Sequence, residues 1–262
     1  MIQKILLTKL FIFTLVQATT HLVPDEFSSI QEAINAASAS DTIIVSNGIY
    51  FENIDFLGKA IKVTSRYLVD NDSLIIGSTI IDAQEFGSVA TFSSGENQES
   101  ILQGFTLRNG VGNDEDPDGN GSFYTYGGGI YCEGSSPLIK DCIIKNNSAN
   151  EGGGAGIFCY NASPVFQGCT ITENQTDDVG GGFYARTGSS PEFYNCNFFD
   201  NTAEFGAGCY IRNTSTPILT NVIFNQNTAN NSGGGIAIKD GVNLVANQVI
   251  MVNNDAEGLG GG

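Results

Sequence analysis

The sequence contains no tryptophan and a single histidine, His21, in 262 residues. A histidine-based catalytic triad, metal cage or proton shuttle is therefore excluded from the body of the chain. Positive charge is also scarce. Eleven Lys+Arg face 28 Asp+Glu, a net charge of −17. Nucleic acid and anionic membrane surfaces need a basic footprint, so neither is expected as a partner. Only 15% of residues are charged, against roughly a quarter in ordinary globular domains. No apolar run after residue 20 is long enough to insert in a bilayer. No C-x-x-C spacing occurs among the cysteines, which argues against a structural zinc site.

What is abundant is glycine, 33 residues, nearly twice the usual share. A glycine-rich, β-branched, charge-poor chain with 41% hydrophobic residues is expected to build stacked strands and tight turns rather than helices or disorder. The first 18 residues have a different character. Lys4 and Lys9 precede the apolar run Leu10–Val16, and Val16 and Ala18 suit the −3 and −1 positions of a signal-peptidase site. Residues 1–18 are read as a signal peptide, and the protein as extracellular or cell-surface.

From residue 127 the chain repeats itself. Glycine clusters begin at Gly127, Gly154, Gly180, Gly206, Gly233 and Gly260, at intervals of 27, 26, 26, 27 and 27. Asn147, Asn174, Asn201, Asn227 and Asn254 keep the same period, as do Pro137, Pro164, Pro191 and Pro217, followed by Asn243. Within a repeat the pattern is period 2, the signature of half-buried strands. In Ile130-Tyr131-Cys132 and its equivalents the outer two residues point inward. A second strand carries Ile139, Phe166, Phe193, Leu219 and Val245 inward. A third carries the pairs Cys142/Ile144, Cys169/Ile171, Cys196/Phe198, Val222/Phe224 and Val249/Met251. Three short strands and three turns per coil predict an all-β solenoid, a parallel β-helix with like residues stacked in ladders. The glycines are expected to supply positive φ at one corner. The asparagines are expected to adopt left-handed geometry at another and to hydrogen-bond along the stack.

The six cysteines fall on this lattice. Stacked Cα spacing permits disulfides. The slot of Cys142, Cys169 and Cys196, however, is filled by Val222 and Val249 in later repeats, which favours buried thiols acting as small core residues.

Residues 19–110 hold a cap and the first coils. Ser29 and Glu32 form a capping-box pattern opening a short helix with Ile30, Ala33, Ile34 and Ala37 on one face. Such a helix is the natural lid for a solenoid end. Residues 111–126 are an acidic insertion loop, and 127–262 are regular repeats. The C-terminal Gly260–Gly262 stands where a further repeat would open, so a longer parent chain is expected.

The runs Ser29-Ile30-Gln31-Glu32-Ala33-Ile34, Asp41–Val45 and Gly48–Ile54 resemble the N-terminal portion of secreted right-handed β-helix proteins with a pectin-lyase-like fold. The repeats Phe198-x-x-Asn201 and Phe224-x-x-Asn227, each followed by a glycine cluster, resemble those of polymorphic outer-membrane protein adhesins. The resemblance implies right-handedness, an N-terminal capping helix and a single-stranded β-helix. Because the architecture hosts lyases, hydrolases, epimerases and adhesins, it leaves function open.

Three constellations could carry chemistry. Asp114, Asp116 and Asp118, followed by Gly119, resemble the first half of a calcium loop, although Thr125 occupies the place of the usual bidentate Glu. Tyr131, Phe158, Tyr184 and Tyr210 form an outward aromatic ladder at intervals of 27, 26 and 26. Such a ladder suits either sugar stacking or cross-strand packing. Arg186, Arg212 and Lys239 form an outward basic column two residues further along. Stacked like charges repel, so this column calls for an anionic target, such as a uronate or sulfated glycan, or for acidic neighbours.

A glycoside hydrolase needs two carboxylates flanking the bond. Asp82, Asp177, Asp178 and Glu192 show no such pairing in sequence, and one insertion is little loop elaboration for an active-site groove. The expectation is therefore a non-catalytic adhesin or glycan-binding surface whose partner is a polysaccharide. The alternative is a calcium-assisted polysaccharide lyase or glycoside hydrolase acting on acidic polysaccharides.

Overall fold

The computed structural model describes residues 17–70, 72–116, 119 and 121–260. Most of the expected signal peptide, together with Asp118, lies outside the described residues. The rest is a right-handed parallel β-solenoid of about eight turns. In the repeat opened by Gly127, Ile130–Glu133 forms the first face, Leu138–Lys140 the second and Ile143–Lys145 the third. A two-residue corner ladder, Ser148–Ala149, adds a fourth short element to the three expected. The first face stacks into a seven-stranded sheet and the corner ladder into a five-stranded one. The second and third faces join into a 15-stranded sheet, because Ile218–Asn225 runs through both. Between those faces one residue per coil takes positive φ: Asp141 (50°), Gly168 (67°), Asn195 (55°) and Asn221 (54°).

Stacking in register sets the core. Ile139, Phe166, Phe193 and Leu219 pair in sequence on the second face, and Ile144, Ile171, Phe198 and Phe224 on the third; all are fully buried. Phe166 and Phe193 stack with centroids 4.7 Å apart, and Phe198 and Phe224 at 4.8 Å. These distances match the strand spacing of about 4.8 Å, so the rings follow the backbone repeat without tilting out of it. The six cysteines are buried free thiols. Burial pushes the Cys142 thiol up to about 12, as befits a core residue rather than a nucleophile.

The asparagine ladder is continuous. Asn174 Oδ1 accepts from the backbone N–H and the Nδ2 of Asn147, and Asn174 Nδ2 donates to Asn201 Oδ1 and to the Ile144 carbonyl, all at 3.0–3.1 Å. Asn201, Asn227 and Asn254 repeat the pattern. The left-handed geometry, however, belongs to the residue before each ladder asparagine: Asn146, Glu173, Asp200, Gln226 and Asn253. The glycine corner is as expected. Gly154 has φ +66°, and a Cβ there would stand 2.6 Å from the Ile157 carbonyl oxygen.

On the second face the last coil corrects the sequence register by one residue, while on the third Val249 and Met251 pair with Val222 and Phe224 as expected. Ala246, not Val245, pairs with Leu219, and Leu244 rather than Asn243 precedes the strand in the proline slot; Val245 points outward and is 49% exposed.

At the other end the helix Ile30–Ala36 buries Ile30, Ala33 and Ile34 over the first coil. Ser29 caps it, accepting from the Glu32 N–H at 3.1 Å. Glu32 reaches back to Ser28 rather than to Ser29, and Glu52 accepts from the N–H groups of Ile30 and Gln31. A carboxylate at a helix N-terminus is favourable because the orphan N–H groups carry positive charge. Lys59 Nζ donates to the carbonyls of Ile34, Asn35 and Ala37 at the opposite end.

Candidate functional site

The first face carries both ladders singled out in the sequence. Tyr131 pairs with Phe158, Phe158 with Tyr184, Tyr184 with Tyr210 and Tyr210 with Ala237. The rings point away from the solenoid core, yet they are not exposed. Tyr131, Phe158, Tyr184 and Tyr210 are 1%, 0%, 2% and 8% accessible. Of the two roles that suit such a ladder, sugar stacking and cross-strand packing, this burial favours packing. Tyr126, Val179 and Phe205 fold over the face and complete a second apolar cluster outside the main core. Tyr126 and Phe158 stack at 4.5 Å.

The cover comes from the segments leading into the glycine corners, which stack on one another through the bridges Tyr126–Gly153 and Val179–Phe205. A sequence signal for it exists: Tyr126, Val179 and Phe205 each immediately precede a positive-φ glycine. Only the consequence of stacking shows where those residues point.

The basic column is one end of a longer one. In register it begins with Glu133, pairs on to Tyr160 and Arg186, and finishes with Arg212 opposite Lys239. Its polarity thus runs from acidic to basic along the axis. Arg186 is 3% accessible, its guanidinium 5.6 Å above the Tyr160 ring centroid. Arg212 is half-buried and Lys239 exposed. The Nε of Arg212 is buried with no hydrogen-bond partner, and no carboxylate among the described residues lies within ion-pair distance of it.

Beside this column the covering segments form the wall of a trough. One cavity of about 280 Å³ is lined by Tyr124, Glu151, Tyr184 and Arg186, and an adjoining one of about 400 Å³ by Phe205, Tyr210 and Lys239. Asp178, Val179 and Arg212 line both. Burial holds the Asp178 carboxyl above its usual range, Asp177 and Glu204 push it the same way, and Arg212 opposes them. Tyr184 is held above the ordinary phenol range by burial, against the pull of Arg186 and Arg212. Toward the acidic end, Tyr131 donates to Glu133 Oε2 at 2.7 Å. Glu115 is raised by burial, Glu133 and Asp114.

The acidic loop folds as a hairpin, Asn113–Glu115 against Tyr124–Tyr126, with Asp114 opposite Thr125. Asp114 is exposed, whereas Asp116 Oδ2 accepts from the Gly121 N–H at 2.6 Å and so closes the hairpin end. Among the described residues, no three His, Cys, Asp or Glu side chains converge to hold a metal ion.

The other candidate acids are dispersed. Asp82 lies on the third face. Burial would raise it, but hydrogen bonds from Asn109, the Gln84 N–H and Arg108 hold it below the ordinary range, with Arg108 Nε at 2.7 Å. Glu192 lies on the second face and accepts from Tyr194 at 2.6 Å. Of these acids only Asp178 lines the trough; Asp177, beside it in the chain, accepts from the Glu151 N–H.

No described helix is long and apolar enough to cross a membrane. No curated protein matches the sequence. Among solved structures, a pectin methylesterase variant in complex with a hexasaccharide is 14% identical, with a TM-score of 0.49 over 87% of this chain and 82% of that one. The pectin methylesterase from carrot is also 14% identical, with a TM-score of 0.48 over 91% and 84%. That from Aspergillus niger is 16% identical, with a TM-score of 0.36 over 88% and 86%. Residues 68–259 match the family described as the right handed beta helix region. A repeat lattice of parallel strands in register, a stacked asparagine corner and a family match spanning most of its length place this chain in the right-handed β-helix family.

Proposed function

We propose that the protein is a secreted or cell-surface, non-catalytic glycan-binding β-helix that holds acidic polysaccharide in the trough beside its first face. One observation carries this reading. In a chain of net charge −17, Arg186, Arg212 and Lys239 gather on adjacent coils and line a continuous depression. Cations collected there against the overall charge focus an attractive potential on the trough. The buried aromatic ladder acts as the rigid floor that sets the cations at coil spacing, not as the stacking surface. The alternative, lyase or hydrolase chemistry on the same polymers, is less supported: Asp82 and Glu192 are committed to partners on other faces, and of the four candidate acids only Asp178 lines the trough, where Glu151 is the one other lining carboxylate among the described residues.

The test is retention on immobilised uronate and sulfated polymers. The wild type is retained, and the double substitution Arg212→Ala/Lys239→Ala elutes unretained with an unchanged melting midpoint. Equal retention of the two proteins overturns the assignment of the trough. Accumulation of unsaturated or reducing sugar ends during incubation with those polymers overturns the non-catalytic part.

A further inference from the structure

The trough holds one element that an anion-binding surface would be better without. Asp178 sits at the junction of its two cavities, lining both together with Arg212. Its position is fixed: its carbonyl accepts from the N–H groups of Glu204 and Phe205 on the next coil, and its own N–H donates to Thr176 Oγ1. An ionised carboxylate there repels an incoming anion and offsets the charge of the half-buried Arg212. Arg212 nonetheless has no carboxylate within ion-pair distance among the described residues, its Nε–H has no acceptor, and the half-buried residue lines both cavities.

Building on the glycan reading above, we propose that Asp178 gates the trough: it opposes anionic sugars when ionised and admits them when protonated, so that binding tightens on mild acidification. The ligand class is a saccharide bearing a fixed anionic group, a sulfate ester or a uronate, seated against Arg212 and Lys239.

The charged and titratable neighbours agree on the direction. Asp177 stands beside Asp178 in the chain, Glu204 faces it from the following coil and Glu151 from the preceding one. Tyr124, Tyr126, Tyr184 and Arg186 line the trough on one side, and Tyr210, Arg212 and Lys239 on the other. Burial and two carboxylates, Asp177 and Glu204, favour the neutral acid, and Arg212 resists. An anion bound at Arg212 would neutralise that resistance and draw a proton onto Asp178. By linkage, protonation then strengthens anion binding by the same factor.

The probe is a sulfated dextran oligosaccharide, because its sulfate esters keep their charge across the carboxylate range. Affinity is measured by isothermal titration over a pH series from about 7.5 down to about 4, close to the ordinary Asp value, in buffers of different ionisation enthalpy. The wild type should bind about tenfold more tightly at the low end of the series, the equivalent of one pKa unit of coupling, with proton uptake at intermediate pH. Asp178→Asn should bind tightly throughout and lose most of that dependence; Asp178→Ser serves the same comparison if the Asn variant does not fold. A wild-type affinity flat with pH, or an Asn variant that keeps the full wild-type slope, overturns the gate while leaving the glycan reading intact. Binding that survives Arg212→Ala undiminished, or no binding at any pH in the series, overturns both.

Discussion

Asn174 shows how much one side chain does in this fold. It is fully buried, and its amide makes four hydrogen bonds that tie the coils on either side of it together. Removing a buried partner strands donors and acceptors at about 1–3 kcal/mol each. Asn174→Ala should therefore cost about 3 kcal/mol or more, read as a lower urea midpoint. A loss of under about 0.5 kcal/mol, the range of surface changes, would mean that the ladder is decorative. The sequence made this ladder legible through its period but misplaced the backbone strain. Glu173, one residue earlier, takes φ 55°, because the bend must come before the side chain that turns inward. The cysteines yield a second residue-scale prediction. All six are buried thiols, so none should react with a thiol reagent in the native protein and all six should react after denaturation. Fewer than six in the denatured, unreduced protein would reveal bridges between rungs.

Elements add what residues cannot show alone. The cap depends on Asp41, whose carboxylate accepts from the N–H groups of Ser38 and Thr19 and contacts His21 Nε2 at 3.0 Å. Those bonds, led by the one from Ser38, hold its pKa down to about 2. A folded-state pKa below the unfolded value of about 3.9 stabilises the fold above the carboxylate range, and that stabilisation fades as pH falls through the interval toward about 2. Asp41→Asn should lower the melting midpoint at neutral pH and show a shallower decline between about pH 4 and pH 2. An identical acid limb in both proteins would contradict the assignment. The covering segments teach the opposite lesson about legibility. Period 2 correctly told that Tyr131, Phe158 and Tyr184 point away from the core, but outward is not the same as exposed. Their burial depends on Tyr126, Val179 and Phe205, and those residues reach the face only once neighbouring coils have stacked the segments that carry them.

At the scale of the whole molecule, glycine abundance and charge scarcity have one cause. Coils that present most strands to a shared core leave little surface for charge, and their corners need positive φ. The architecture could be read from the period because stacking like on like is what the period encodes. The site could be read only in part. Arg186, Arg212 and Lys239 were visible as a column, but Glu133 and Tyr160 stand in the same column without matching its charge, and Asp178 enters from a corner position whose residue type changes from coil to coil. The trough is thus a product of two independent ladders meeting across the fold.

The most direct test of the account is a crystal structure of the protein with an acidic oligosaccharide bound. Sugar density is expected along the trough, with an anionic group hydrogen-bonded to the Arg212 guanidinium and near Lys239, and with the rings of Tyr131, Phe158 and Tyr184 still covered. Sugar seated on another face with the trough empty, or stacked on an aromatic ladder laid bare, would contradict it.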